Sequence, residues 1–264
     1  MTKSAKLGFG MLMLLAALAA LAPVLPLRDP VQPTAPSFGQ PWPPQRSFPC
    51  GTDELGRDVC SRLLHGARLS LAVATAASLA SISIGALVGL LAGYSGGFLD
   101  HLLMRCTDVV LSFPVLLLAI AVAALFEPST TVLILVIVAV GWTTTARTIR
   151  AEVLSIARSD HVQAAIALGA GHVATLRRHI LPLTLPTLIT LGALTASHAL
   201  LIDAGLSFIG LGVPPPAPSW GRMLSESQAY YRVAPWLMLF PGLLLTYTVA
   251  ALQLVALGLK RRPS

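Results

Sequence analysis

Residues 160–182 read DHVQAAIALGAGHVATLRRHILP, a charged and glycine-broken island between two long apolar runs. Asp160 is placed to cap a short helix, with Gln163 reaching back to it from three residues later, in a variant of the capping box. Gly169 follows where that helix would end, because glycine adopts the left-handed conformation without strain. A second short helix is expected from about His172. The stretch therefore predicts two short helices that meet at a glycine corner.

The same island has the features of a surface that another protein can grip. Ala164 and Ala165 leave one side of the first helix nearly flat, so that a partner's groove can close on the backbone. The second helix carries two arginines ahead of His179, and Pro182 then returns the chain to apolar sequence. We expect a mechanical handle whose angle is set by the glycine corner.

Composition excludes an ordinary soluble domain. Of the 264 residues, 55% are hydrophobic and 11% are charged, and the mean hydropathy is +0.77. Soluble domains carry about a quarter charged residues. The net charge of +7 does not indicate nucleic-acid binding, because the Lys and Arg residues lie in loops without interleaved aromatic residues. The composition predicts an all-α, polytopic membrane protein.

Six apolar runs are long enough, at about 1.5 Å per residue, to cross a hydrocarbon layer about 30 Å thick. The first could also be a signal peptide, but a retained anchor is favoured. We therefore predict an anchor span with an extracytoplasmic segment (1–68) and a transmembrane domain (69–264) that contains the island. The six runs cover residues 7–27, 69–99, 101–126, 129–146, 180–202 and 233–259.

Basic residues predict the orientation of these spans. An even number of spans puts both termini and the island on one side of the membrane. That side carries most of the 18 Lys and Arg residues, and the positive-inside rule assigns it to the cytoplasm. This basic group comprises Lys3, Lys6, Arg105, Arg147, Arg150, Arg158, Arg177, Arg178, Lys260, Arg261 and Arg262.

The polar segment before the second span reads GTDELGRDVCSRLLHGARLSL over residues 51–71. Thr52 or Asp53 is expected to cap a helix suited to a membrane surface or a partner. Its apolar stripe would consist of Leu55, Val59, Leu63 and Leu64. The acidic residues lack the ligand spacing of a calcium loop, so a solvated helix face is favoured over a cation site. These acidic residues are Asp53, Glu54 and Asp58.

Three cysteines without regular spacing exclude a disulfide framework, a zinc ribbon and a redox C-x-x-C motif. Cys106, at the edge of a span, is expected to be packed and inert. Cys50 and Cys60 share one loop and could pair, although free thiols are favoured.

The sequence carries no motif for catalysis, metal binding or a cofactor. It lacks the G-x-x-x-x-G-K-[ST] loop that cradles phosphate, a nucleophile elbow and a metal-ligand cluster. We therefore expect a protein that is not an enzyme and whose energy comes from a partner.

Ionisable residues within spans mark functional sites or local pairs. Arg105 and Asp108, at i and i+3, are expected to pair with each other. His198 and Asp203 lie toward the outer end of the fifth span, where they would contact either a substrate or a partner subunit.

Several motifs, taken together, resemble one family. Residues 163–182, with Q-A-A-x-x-x-G and then H-I-L-P, resemble the E-A-A-x-x-x-G coupling loop of bacterial ABC importer permeases, with Gln163 replacing glutamate. Four further motifs resemble the C-type subunit of its dipeptide and oligopeptide branch. They are G-T-D-E-L-G-R-D (51–58), R-x-x-D-V-V-L-S-F-P (105–114), L-S-F-I-G-L-G-V-P-P-P-x-P-S-W-G (206–221) and A-P-W-L-x-L-F-P-G (234–242).

This resemblance implies a permease that forms half of a translocation pathway for di- or oligopeptides in the bacterial inner membrane. It also implies a second homologous permease, two cytoplasmic ATPases that bind ATP and magnesium, and an extracytoplasmic substrate-binding protein. The residues expected to contact an ATPase are Gln163, Ala164, Ala165, Gly169, His179 and Pro182.

Other functions remain open at this stage. Permeases for nickel, glutathione or another small solute share these motifs, and a nucleotide-independent membrane channel or scaffold is an alternative outside the family. Two features depart from the family pattern. Asp203 replaces the common glutamate, and residues 258–264 replace the usual C-terminal tail.

Overall fold

The computed structural model describes residues 2–36 and 39–259, and this part of the chain is helical, with two isolated β-bridges near the N-terminus. A π-helical turn, Leu176–Ile180, joins two of the helices into one rod. The helices are α1 (Lys3–Leu21), α2 (Val59–Ser95), α3 (Gly97–Leu111), α4 (Val115–Ala123), α5 (Thr130–Ile156), α6 (Asp160–Ala167), α7 (His172–Thr175), α8 (Leu181–Phe208), α9 (Trp220–Ser227) and α10 (Trp236–Leu259).

Five helical segments in the described part of the chain are long and apolar enough to cross a membrane. They are α1, α2, α5, α10 and the rod from α7 to α8. The helices α3 and α4 together make a sixth candidate, but they meet at 86°. The predicted third span is thus bent at Pro114, because proline lacks a backbone N–H and disfavours helical geometry in the residue before it. The basic end predicted for the last span, 260–262, lies outside the described residues.

The helix α2 is the centre of the bundle, and its main neighbour is α5. Gly85, Gly89 and Gly93 recur every fourth residue and bring the two backbones together. A Cβ atom on Gly89 would lie 2.6 Å from the carbonyl oxygen of Ala146. Small residues therefore make α2 the helix against which α5 packs most closely.

The start of α2 differs from the prediction. Asp58, and not Thr52 or Asp53, caps the helix by accepting a backbone N–H in the first turn. The Oδ1 atom of Asp53 instead accepts from Leu55 N at 3.0 Å and holds a turn before the helix. Leu55 is therefore outside α2 and 43% exposed, so it is not part of the predicted apolar stripe.

Two expectations about side-chain pairing are also wrong. Cys50 and Cys60 form a disulfide, because the turn between them brings their Cα atoms to 5.2 Å. Asp108 pairs with Arg147 of α5 at 2.5 Å and not with Arg105 of its own helix, because α3 and α5 pack side by side. The remaining cysteine, Cys106, is exposed and not packed as expected.

The glycine- and proline-broken segment after α8 is partly covered by protein: Val213 and Ser219 are buried, whereas Ile209 is 50% exposed. Trp220, at the start of α9, is fully buried against α2. Its indole N–H donates to the carbonyl of Leu63 at 3.0 Å, and its backbone N–H donates to Ser70 Oγ at 3.1 Å. These bonds fix α9 across the N-terminal part of α2.

Candidate functional site

The island forms the first short helix that its sequence predicts, although this helix begins in another way. The second predicted short helix is instead the beginning of the continuous rod His172–Phe208. α6 runs from Asp160 to Ala167, and Ser159 occupies the cap position without a side-chain cap bond. The predicted capping box is therefore wrong. The amide of Gln163 donates instead to the carbonyl of Ala157 at 2.7 Å. Because the last carbonyls of a helix lack internal partners, this bond ties α6 to the end of α5.

A small apolar cluster anchors α6 to two long helices. Val162 is the buried residue of α6, with no exposed surface. It packs in one cluster with Ile149 and Val153 of α5, Ile180 of the π turn and Leu188 of α8. This cluster is separate from the main core of the bundle. The cluster therefore holds α6 against both α5 and α8.

The glycine corner has the predicted conformation. Gly169 has φ of +89°, in the left-handed region that side chains other than glycine adopt only with strain. Its backbone N–H donates to Ile166 at 2.9 Å, which closes the last turn of α6. The chain then turns into α7, which continues through the π turn into α8.

The tip of the island is apolar and uncovered in this chain. Ile166, Leu168 and Val173 are 41%, 90% and 79% exposed. No motif in the sequence marks these three residues, although large apolar side chains in a polar loop are a signal for a binding surface. The expected contact residues lie around them. Gln163, Ala164, Gly169 and Pro182 are exposed, and Ala165 and His179 are half-buried.

The island also contacts the C-terminal end of α2. The hydroxyl of Tyr94 lies 3.1 Å from Nδ1 of His172, and the two rings meet edge to face. This contact joins the start of α7 to the helix at the centre of the bundle.

The two residues expected near the outer end of the fifth span are not brought together. Asp203 is 1% exposed, and its Oδ1 accepts from Ser207 Oγ at 3.2 Å within α8. His198 is exposed on the same helix. Within the described residues the two side chains form no hydrogen bond with each other.

The acidic residues of the outer segment form a buried ion-pair network, so the expected solvated helix face is wrong. Asp53 Oδ2 lies 2.7 Å from both Arg57 Nε and Arg62 Nη1. Glu226 of α9 accepts from Arg62 and Arg222. The carboxylate oxygens of Asp53, Glu54 and Glu226 lie within 4.8 Å of one another. The three guanidinium groups among them already balance their charge, so this cluster does not call for a metal ion.

Burial changes the acidity of two carboxyls in this segment. The pKa of Glu54 is raised, mainly by burial and then by the charge of Asp53. Burial likewise raises the pKa of Asp58, although the N–H groups that it caps oppose the shift. The network is therefore both electrostatically coupled and sensitive to proton concentration.

Comparisons with known proteins agree on one family. The family model described as "Binding-protein-dependent transport system inner membrane component" matches residues 85–262. The di/tripeptide transport system permease protein DppC of Pseudomonas aeruginosa is 40% identical over 216 residues, which cover 82% of this chain and 71% of that protein. The glutathione transport system permease protein GsiD of Pectobacterium atrosepticum is 37% identical over 210 residues, which cover 80% and 70%.

A solved structure shares the fold. In the inward-facing MetNI methionine ABC transporter, a chain superposes with a TM-score of 0.64 at 19% identity. The superposition covers 75% of this chain and 96% of that one. The helical arrangement described above is thus the fold of a known importer subunit.

Proposed function

The chain belongs to the family of inner membrane components of binding-protein-dependent transport systems, and we propose that it carries di- and oligopeptides into the cell as one of two paired permeases. ATP would be bound and hydrolysed by two partner ATPases, and a binding protein would deliver the peptide. The relatives named for peptide transport support this substrate class.

The observation that carries the mechanism is the exposed apolar tip on a rigidly anchored α6. A groove of an ATPase that closes on Leu168 and Val173 would bury surface that this chain leaves exposed. The anchor through Val162 would then pass the movement of the ATPase to α5 and α8. Movement of these helices against a second permease would open the pathway alternately to the two sides of the membrane.

The disulfide supports an orientation with both termini in the cytoplasm. Disulfides persist in oxidising compartments, so Cys50–Cys60 would face the outside of the cell membrane. Three candidate spans separate this loop from the island: α2, the bent pair and α5. An odd number of crossings places the island on the opposite side, where ATPases can reach it.

The test is uptake of radiolabelled trialanine by proteoliposomes that contain the complete importer and its binding protein. ATP supplied on the side of the vesicle membrane where the ATPases lie should drive uptake, and ADP on that side should not. In Gly169→Val, the strained corner should reorient α6 and reduce uptake at least roughly tenfold, while the ATPases still hydrolyse ATP. The matched control is Gly10→Val in α1, where an added Cβ has open space. Equal uptake by Gly169→Val and the wild type would contradict the coupling role.

A second substrate is supported by one relative. GsiD, the glutathione permease, is nearly as similar as the dipeptide permeases. Glutathione is itself a tripeptide, and competition between glutathione and trialanine for uptake would separate the two substrates. Inhibition by glutathione at equal concentration would favour the second candidate.

A further inference from the structure

A cavity of about 480 Å³ lies between α5 and α8, beside the anchor of α6. Its volume falls in the range of about 300–1,000 Å³ that is typical of small-molecule sites. Its lining consists of Thr148, Glu152, Leu183, Pro186, Thr187, Thr190, Leu191, Leu194 and Leu259. Glu152 is the charged residue in this lining, and no expectation from the sequence concerned it.

The carboxylate of Glu152 is incompletely paired. Its Oε1 atom accepts from the Thr187 hydroxyl at 3.0 Å. Its Oε2 atom is shielded from solvent and has no hydrogen-bond donor within the described part of the chain. Carboxylates within membrane spans face the protein interior or a water-filled cavity, and not lipid, because an unpaired charge in hydrocarbon is costly. The cavity is partly open in this chain, since Leu183 of its lining is 46% exposed.

Among the described residues that line the cavity, the side-chain oxygens that face it act as acceptors. Thr148 and Thr190 donate their hydroxyl protons to carbonyls four residues earlier in their own helices, Thr144 and Pro186. Thr187 donates its proton to Glu152. Each hydroxyl oxygen keeps lone pairs that face no donor of the lining. A carboxylate with three such hydroxyls is complementary to a cation that carries several N–H donors.

We propose that this cavity binds the ammonium group at the amino terminus of the transported peptide, with Glu152 as its counter-charge. The substrate class rests on the function proposed above. The last torsion of a glutamate side chain is broad, so Oε2 can turn toward an arriving ammonium at low cost. The ammonium then supplies the hydrogen bond that this oxygen lacks.

The position of the cavity links binding of the ammonium group to movement of the island (residues 160–182). Glu152 and Thr187 directly precede Val153 and Leu188, which hold Val162 of α6 in the anchor cluster. A movement of α6 that shifts α5 against α8 changes the distance between Glu152 and Thr187. The cavity would therefore bind the ammonium group in one position of the island and release it when the island moves to another.

The direct test measures the charge preference of the cavity without peptide transport. In a Cys106→Ser background, Leu194→Cys places one free thiol in the cavity, since Cys50 and Cys60 are paired. The purified importer is treated with aminoethyl methanethiosulfonate, a cation, or sulfonatoethyl methanethiosulfonate, an anion. The cation should react roughly tenfold faster, as expected for one nearby carboxylate at low effective dielectric. Thr190→Cys is a second reporter if the first variant does not fold.

The decisive comparison is the same rate ratio after Glu152→Gln. The ratio should fall to the value that the same two reagents show with a small free thiol in solution, whereas Glu127→Gln, an exposed glutamate outside the cavity, should leave it unchanged. A ratio that Glu152→Gln does not alter overturns the proposal. This result is independent of peptide transport, so it also stands if the importer proves not to carry trialanine.

Transport supplies the second readout. Glu152→Gln and Thr187→Val should each lower trialanine uptake, Glu152→Gln by roughly tenfold for a lost charge-assisted hydrogen bond, with the importer assembled and hydrolysing ATP. Dissociation of the two permeases in Glu152→Gln would instead show that a basic side chain of the second permease pairs with Glu152, and would overturn the proposal. Unchanged uptake would also overturn it.

Discussion

Arg62 of α2 and Glu226 of α9 form an ion pair with Nη2 and Oε2 2.7 Å apart, across 164 residues of sequence. The same guanidinium reaches Asp53 through Nη1. The side chain of Arg62 is only 1% exposed, so its charge depends on these two carboxylates. The pairs therefore join the outer segment, the centre of the bundle and the α9 helix into one unit.

Loss of the carboxylate at Asp53 should destabilise this unit strongly. Asp53→Asn should lower the free energy of unfolding by about 3 kcal/mol, because removing one partner of a buried pair leaves an uncompensated charge. Glu226→Gln should cost less, since the Glu226 side chain is 20% exposed and Arg62 keeps Asp53. Denaturant titration in mixed micelles measures both, with the exposed Glu127→Gln as control. Equal effects of all three variants would contradict the network.

Stability should depend on the proton bound by Glu54. Its pKa is raised above the ordinary 4.5, first by burial and then by Asp53, so the folded state holds this proton more tightly than the unfolded state. The stabilisation that comes from this proton on Glu54 is then complete below pH 4.5, and it is lost as the pH rises through the folded-state pKa.

Glu54→Gln removes this dependence on pH. The variant should unfold at a higher temperature than the wild type at pH 7, and the difference should vanish below the ordinary pKa of the carboxyl. Thermal unfolding between pH 4 and 7 measures the effect. A wild type that gains stability relative to the variant as the pH rises would have the opposite sign and would refute the assignment.

The Cys50–Cys60 disulfide should stabilise the outer segment. Cys60→Ser should lower the free energy of unfolding by about 2–3 kcal/mol, because the crosslink restricts the unfolded chain. Cys106→Ser removes an exposed free thiol and should have little effect. Maleimide should label one cysteine per chain before reduction and three after it. Three labelled cysteines without reduction would show that the bridge is absent.

Close packing of α2 on α5 should be sensitive to one methyl group. Gly89→Ala puts a Cβ 2.6 Å from the carbonyl oxygen of Ala146, so the helices must move apart at a cost of about 1–3 kcal/mol. Gly10→Ala, in a helix with open space, should stabilise by about 0.5–1 kcal/mol. Thermal unfolding of both variants tests the contrast. A stabilised Gly89→Ala would mean that the two helices do not meet at this residue.

Sequence reasoning succeeded where local chemistry decides the outcome. The apolar runs predicted the membrane helices. Gly169 marked the corner because a left-handed residue requires glycine whatever surrounds it. The motifs in the island and elsewhere in the chain identified the family. They could do so because a motif consists of residues in a fixed order along the sequence.

Sequence reasoning failed where a side chain had several possible partners. Asp108 has Arg105 nearby in sequence, but its partner is Arg147 on a neighbouring helix. Gln163 lies three residues after Asp160, where it could complete a capping box. Its amide instead donates to the carbonyl of Ala157 at the end of α5. Spacing along one helix cannot choose between these partners, because the choice depends on how whole helices pack.

The sequence by itself determined the membrane class, the family, the helical runs and the glycine corner of the handle, since each depends on residues close together in the chain. Only the tertiary structure decided that Val162 joins α6 to α5 and α8, that Asp53 meets Arg62 and Glu226, and that Glu152 shares a cavity with three threonines. These contacts arise because packing of long helices brings distant residues within the few ångströms over which hydrogen bonds, ion pairs and apolar contacts act.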